Sequence, residues 1–364
     1  MKQTPLIAHH RAAGAKLVDF AGWEMPIQYS GVIDEYQTVR RSAGLFDVSH
    51  MGRLMVSGVG GLEFLQSVTT NDAGKLAVGQ AQYSMVCNDR GGIQDDIFVY
   101  RLKPMDYLLC VNASNREKIH TWLQTQPRAT TVVLEDHSDR LAQIAIQGPR
   151  SRDILLALGG EAIRTLKLHH TCDAVLGSIP TLVARTGYTG ELGYELYVPA
   201  DHIGVLWERI LEQGASQGVK PAGLGSRDLL RLEMGYLLYG NDIGEDTTPI
   251  EAGVEWTVSL EKGEFIGRAA LLAQKERGPA TRFVGFELLE KAVPRHGFKI
   301  LDAVSSQVIG EVSSGNLSPI LQKGIGLGYI PTAQAAVGTP LTIDIRGRAV
   351  PAQVVKTPFY RRKA

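Results

Sequence analysis

Two adjacent acids stand at the head of an apolar run, Ile93-Gln-Asp95-Asp96-Ile-Phe-Val-Tyr100. In an extended strand successive side chains alternate between faces, so Asp96, Phe98 and Tyr100 share one face and Asp95, Ile97 and Val99 the other. The two carboxylates therefore point apart. Burying an acid among apolar neighbours is costly unless a hydrogen-bonded partner or a ligand compensates, which makes this pair a candidate binding or catalytic acid. An ordinary contact between Asp96 and an arginine, with Asp95 closing the turn, accounts for the same residues.

A second cluster is Arg185-Thr-Gly187-Tyr188-Thr-Gly190-Glu-Leu-Gly193-Tyr-Glu195-Leu-Tyr197-Val198. Its glycines permit positive φ or a close backbone approach, and the strand that follows places Glu195 and Tyr197 on one face. A carboxylate that accepts two parallel N–H groups is how a protein recognises a pterin-like or guanidine-like edge, and Tyr188 offers a flat ring for stacking. A hairpin with an exposed glutamate is the plainer alternative. In a third cluster, Pro221-Ala-Gly-Leu-Gly-Ser-Arg227-Asp228, a glycine-rich approach delivers Arg227 and Asp228 to the first turn of a helix. Aspartate suits that end of the helix dipole and arginine does not, so Arg227 calls for a carboxylate partner: Glu195, another side chain or an acidic ligand. A solvated surface arginine is the competing expectation.

The elements around these residues follow from punctuation and period. Tyr83 to Cys87, the loop Asn88-Asp-Arg-Gly-Gly and Ile93 to Arg101 read as a β-hairpin, and Tyr107 to Asn112 adds a third strand. Helices are expected around Gly61 to Leu65, at Ser151 to Leu158 with Ser151 as N-cap, at His202 to Gln213 with Asp201 as N-cap and Gly214 as stop, and from a Ser226 cap toward Leu238. Beyond Gly278 the texture becomes short strand-like pieces at 283–288, 308–313, 325–330, 341–345 and 349–355, as in an antiparallel sandwich or barrel. A domain boundary near residue 279 follows.

At 364 residues the chain exceeds one ordinary core, and two or three domains are expected. Its 38 basic and 38 acidic residues balance, so the broad field on which nucleic-acid and polybasic membrane binders rely is absent. A small molecule or a protein is the expected partner, with no nucleic acid and no membrane. The cysteines, Cys87, Cys110 and Cys172, are three in number and show neither disulfide nor zinc spacing. With no apolar signal core at the start, the expectation is a cytoplasmic protein with no metal site. The signatures of phosphate-loop NTPases, zincins and serine hydrolases are missing. Gly223-Leu-Gly225 begins like a dinucleotide fingerprint but lacks its third glycine and places Asp228 where a pyrophosphate would be repelled. The adjacent pairs His9-His10 and His169-His170 do not share a helix face.

The three clusters stand in order with Asp19-Phe-Ala-Gly-Trp-Glu-Met-Pro26, Phe46-Asp-Val-Ser-His-Met51-Gly52, Tyr239-Gly-Asn-Asp-Ile243 and Ser313-Ser-Gly-Asn-Leu-Ser-Pro319, and the tail Pro358-Phe-Tyr closes the series. So ordered, the chain resembles the aminomethyltransferase family of the glycine cleavage system. The resemblance implies an α+β fold of three domains arranged like a clover leaf around a central folate channel, with a β-rich, barrel or jelly-roll-like C-terminal domain. It implies discontinuous domains: 1–52 with 139–240, 53–138 with 241–278, and 279–364. It implies transfer of the methylene carbon of an aminomethyl group on lipoylated H protein to tetrahydrofolate, in functional association with the P and L proteins.

By the same resemblance Asp96 is the acid beside the folate nitrogens, Glu195 the pterin-edge acceptor and Tyr188 an aromatic contact. Tyr83, Tyr100, Asn112, Met51 and Arg227 are further lining, and Arg361 in the tail is a weaker member. Asp96 with an ordinary carboxyl pKa of about 3.9 is ionised at neutral pH, so it is suited to accept a hydrogen bond and stabilise positive charge; donating a proton requires a large upward shift. Relatives of the same fold are folate-dependent demethylases or nonenzymatic folate-binding proteins marked by Lys-Gly-Cys. Here Lys262-Gly263-Glu264 has glutamate in place of the cysteine. A sugar- or lipid-binding β-sandwich scaffold is the reading from another class, suggested by the C-terminal texture alone.

Overall fold

The structure, a computed structural model, describes residues 1–361. Two compact units form, Met1–Ser84 with Asp95–Asp228, and Met85–Gln94 with the chain from Leu229 onward.

The first unit is built on two large sheets. One has six strands in the order Thr171–Leu176, Ile179–Ala184, Gly193–Pro199, Leu141–Gln147, Gly44–Asp47 and Lys220–Pro221. Its outer face is covered by the helices Ser151–Ala157 and Ile203–Gly214. The second helix buries Ile203, Leu206, Trp207 and Ile210, the spacing of one helical stripe, on Ile144, Ile146, Leu196 and Val198. The other large sheet has five strands in the order Gln80–Cys87, Ile93–Lys103, Asp106–Val111, Gly52–Ser57 and Val133–Asp136. The expected hairpin and third strand are its first three members. The inner faces of the two sheets share one apolar cluster, in which Tyr100, Leu108 and Cys110 meet Ala184 and Tyr197.

In the second unit six strands close into a barrel: Thr281–Leu288, Lys323–Pro331, Val308–Ser318, Lys299–Asp302, Pro340–Ile345 and Arg348–Val355, the last pairing back onto the first. Closure leaves no unpaired edge, and alternate residues such as Val284, Phe286 and Leu288 fill the interior. At Gly326 an added Cβ would lie 2.3 Å from the Phe286 ring, so the missing side chain is the space that ring occupies. Between sandwich and barrel, the structure is a barrel, and the fold class is α+β as expected.

Three expected caps are not caps. Ser151 is inside its helix, which has Arg150 at the N-cap, and its hydroxyl donates to the Leu192 carbonyl at 3.1 Å. Asp201 falls in a separate short turn, Ala200–His202, ahead of the helix. Ser226 is in the first turn of Leu224–Met234 and donates backward to the Gly223 carbonyl at 2.9 Å. The two serine hydroxyls each found a backbone carbonyl, a choice that local propensity does not forbid. Among the described residues no helix is long and apolar enough to cross a membrane.

Candidate functional site

Asp95 is fully buried and Asp96 half-buried, on opposite faces of their strand as the period of two requires. They are nevertheless joined. The antiparallel register pairs Phe98 with Cys110, which brings Asn112 opposite Asp96 at the strand end. From there the Asn112 side-chain amide donates to Asp96 Oδ1 at 2.7 Å and to Asp95 Oδ1 at 2.9 Å, while its main-chain N–H donates to Asp95 Oδ2 at 3.0 Å. Asn115 adds a 2.6 Å bond to Asp95. The period alone put the two carboxylates apart; a residue reached only through strand pairing ties them together.

Asp96 is held from its other side by the Tyr83 hydroxyl, which donates to Oδ2 at 2.7 Å. Burial, then the Asp96 charge, raise the Tyr83 pKa well above that of an ordinary phenol, so Tyr83 is a neutral donor. Burial first, and Asp96 second, push Asp95 up to about 7, against the bonds from Asn115 and Asn112. Two carboxyl groups sharing one amide do not both ionise readily, and the deeper one is the natural carrier of a proton.

Glu195 is 9% exposed, which disposes of the exposed-hairpin alternative. Three donors converge on it. Thr186 Oγ1 donates to Oε2, Gln143 Nε2 to Oε1 at 3.3 Å, and the Tyr100 hydroxyl lies 3.5 Å from Oε2. Tyr197 donates in turn to Tyr100 at 3.1 Å. Sheet register explains the convergence, since Gln143 pairs with Tyr197 and Ala184 with Glu195. The loop before Glu195 is moulded on one side chain. The Gln147 amide occupies the positions where Cβ atoms at Gly187 and Gly193 would stand, at 2.1 and 2.3 Å, and it bonds Thr186 O and Thr189 Oγ1. Gly190 has φ +75°, the backbone conformation that needs glycine.

Tyr188, on that loop, has the Arg227 guanidinium 4.8 Å from its ring centroid. Arg227 Nη1 is buried with no hydrogen-bond partner. Its pKa is drawn down by burial and held up by Glu195, and it stays a cation. The carboxylate partner expected of Arg227 is thus an electrostatic neighbour, not a bonded one. His50, which sequence reasoning left without a role, is buried in the same surroundings with Nδ1 unpartnered. Burial pulls its pKa down to about 4, with Arg227 and Arg53 acting the same way and Asp47 opposing them.

All eight expected residues fall in the first unit. Tyr83, Asp96 and Asn112 form one bonded group, and Tyr100 and Glu195 another. Phe98 links them, with its ring 5.6 Å from Tyr83 and 5.9 Å from Tyr100. Met51 packs on the cluster that contains Tyr100, and Arg227 lies on Tyr188. Arg361 is exposed. The arrangement offers two carboxyl groups on an aromatic wall and a half-buried arginine whose enclosed Nη1 lacks an acceptor. That chemistry fits a flat, N–H-rich ring system carrying an anionic tail.

Family models describe the chain in two parts: the GCVT N-terminal domain matches residues 6–262, and the glycine cleavage T-protein C-terminal barrel domain matches residues 281–361. An aminomethyltransferase of Halothermothrix orenii is 47% identical over 359 residues, covering 99% of this chain and 100% of that protein. One from Symbiobacterium thermophilum is 48% identical over 368 residues, with 99% and 98% covered. The crystal structure of glycine cleavage system aminomethyltransferase T from Bartonella henselae superposes with a TM-score of 0.92 at 35% identity, over 99% of this chain and 98% of that one.

Proposed function

The chain belongs to the glycine cleavage T-protein family of aminomethyltransferases, and on that premise we propose that Asp96 and Glu195 bind tetrahydrofolate for aminomethyl transfer. The donor is the aminomethyl group on the lipoyl arm of H protein. Its methylene carbon passes to the folate; the carbon–sulfur and carbon–nitrogen bonds to it break, giving 5,10-methylenetetrahydrofolate, ammonia and the dihydrolipoyl arm. The P and L proteins complete the cycle.

The observation that carries the reading is the way Asp96 is held. With Tyr83 and Asn112 donating to it, and burial raising its neighbour Asp95, Asp96 serves as an acceptor that orients a ring N–H and stabilises positive charge as it develops. Glu195, filled on its inner side by Thr186, Gln143 and Tyr100, holds the pterin edge, with Tyr188 as the stacking face. Arg227 Nη1 takes an oxygen of the anionic tail, the acceptor it otherwise lacks. Met51 and Asn112 complete the lining.

The same proposal divides the chain into 1–52 with 139–240, 53–138 with 241–278, and 279–364. It is supported by the strands: the six-stranded sheet draws on residues 44–47 and 141–221, the five-stranded sheet on residues between 52 and 136, and the barrel on 281–355. Cytoplasmic residence, also proposed, is supported by Cys87, Cys110 and Cys172 all being free.

Asp96→Asn is the test, with methylenetetrahydrofolate formation from glycine followed in the presence of lipoylated H protein and P protein. Loss of one preorganised electrostatic group lowers kcat by about 100- to 1,000-fold. Unchanged turnover sinks the role of Asp96, and no product with the wild-type chain sinks the reaction.

A further inference from the structure

The two acids assigned to folate stand on different sheets of the first unit, Asp96 on the five-stranded sheet and Glu195 on the six-stranded one. The chain crosses between those sheets twice. Residues 48–51 lead from Gly44–Asp47 into Gly52–Ser57, and residues 137–140 return from Val133–Asp136 to Leu141–Gln147. One buried side chain bonds both crossings. Arg53 is fully buried; its Nη2 donates to the Ser49 carbonyl at 2.9 Å and to the Ser138 carbonyl, and its Nη1 donates to the Met51 carbonyl. Its main chain joins the second crossing as well, with its N–H donating to the Ser138 hydroxyl and its carbonyl accepting from the His137 N–H, each at 2.8 Å. Asp136 holds Ser138 in turn, accepting the Ser138 N–H at 2.8 Å and Arg116 Nε at 2.9 Å.

Both crossings lead on to the folate groups. The Ser49 hydroxyl donates to the Gln143 carbonyl at 3.0 Å and accepts from the Gln143 N–H at 3.1 Å, and Gln143 is the residue whose side-chain amide reaches Glu195. Met51 lies between Ser49 and Arg53 in the chain. On the other sheet, Arg53 pairs with Cys110 and Cys110 with Phe98, a row across the face that carries Asp96. The three acceptors of the guanidinium are all carbonyls. Burying a cation is costly, and packed apolar residues often serve stability as well. What a planar fork adds is a fixed angle between the segments it bonds.

We propose that Arg53 is a positioning residue for folate, clamping the two crossings and thereby fixing Glu195 and Met51 relative to Asp96. The inference rests on the assignment of those three residues to folate; Arg53 acts through them. A shift of about 1 Å in such a support is enough to degrade a site.

Calorimetric titration of the full chain with tetrahydrofolate separates positioning from stability, because the number of sites reports folded chain and Kd reports the alignment of the site. Arg53→Lys keeps the charge with one nitrogen in place of the fork, and Arg53→Met removes the charge while filling the space. Each is expected to keep full stoichiometry and bind roughly tenfold more weakly, the scale of one charged hydrogen bond lost at the ligand. In a chain that already carries Glu195→Gln, Arg53→Lys should weaken binding by about twofold or less, since one of the groups it aligns is gone. Unchanged Kd with or without loss of sites, failure of both variants to fold, or the full tenfold loss in the Glu195→Gln chain overturns the proposal. Binding indifferent to Glu195→Gln alone overturns the folate assignment instead.

Discussion

Arg227 and Arg231 stand one turn apart on a single helix, and their surroundings are opposite. Arg231 is saturated. Its Nη1 donates to Asp242 Oδ2 at 2.6 Å and to the Tyr236 carbonyl at 3.1 Å, and Nη2 to Ser314 at 2.7 Å. Asp242 is filled as well, by the hydroxyls of Ser313 and Ser314 and the Leu238 N–H. Arg227 has an aromatic ring beneath it, a carboxylate in its field and a buried Nη1 with nothing to bond. Arg231 is buried and Arg227 half-buried with its Nη1 enclosed; one closes a network inside the protein, and the other leaves a donor unused. Hydrogen-bond completeness, more than enclosure of the guanidinium, distinguishes the two.

Removing a partner from each network should break the symmetry between them. Asp242→Ala strands Arg231 as an uncompensated buried charge and should cost about 3–5 kcal/mol of stability, read by urea unfolding of the full chain. Arg227→Leu should leave stability unchanged or slightly raised, since it removes an unsatisfied group, while weakening folate binding by roughly tenfold or more in a direct titration. If Arg227→Leu unfolds the chain as Asp242→Ala does, the distinction fails.

Asp95 sharpens the comparison because amides, not a cation, satisfy it. Its pKa is raised in the folded chain, so over about pH 4 to 7 the native state binds more protons than the unfolded state, and stability falls as pH rises through that window. Asp95→Asn should flatten that part of the pH–stability curve. An unaltered slope would mean that the proton resides elsewhere in the pair.

The strand bearing Asp96 and the shared face of Glu195 and Tyr197 were legible because a period of two is local. So were the barrel strands with clear alternation. Legibility stopped where pairing between distant segments decides. Asn112 reaches both acids only through the register of Phe98 on Cys110, and Gln143 reaches Glu195 only because Leu141–Gln147 lies beside Gly193–Pro199. That strand is buried on nearly every residue, glutamines included, so it shows no polar face to mark it. The short Lys299–Asp302 strand lacks a pattern long enough to read. The segments Tyr239–Ile243 and Ser313–Pro319, quoted for family resemblance, supply Asp242, Ser313 and Ser314, and here their polar residues hold Arg231. A motif can mark a fold's fastening as readily as its chemistry.

The moulding of the Tyr188 loop around Gln147 has an evolutionary corollary. Positions 147, 187 and 193 occupy one shared volume, so none of the three can drift alone. A lineage that exchanged either glycine for a larger residue would have to shorten the glutamine in the same step and would forfeit the amide that bonds Thr186 and Thr189. The three positions form one heritable unit, and variation in this loop should be sought at its outward-facing residues instead.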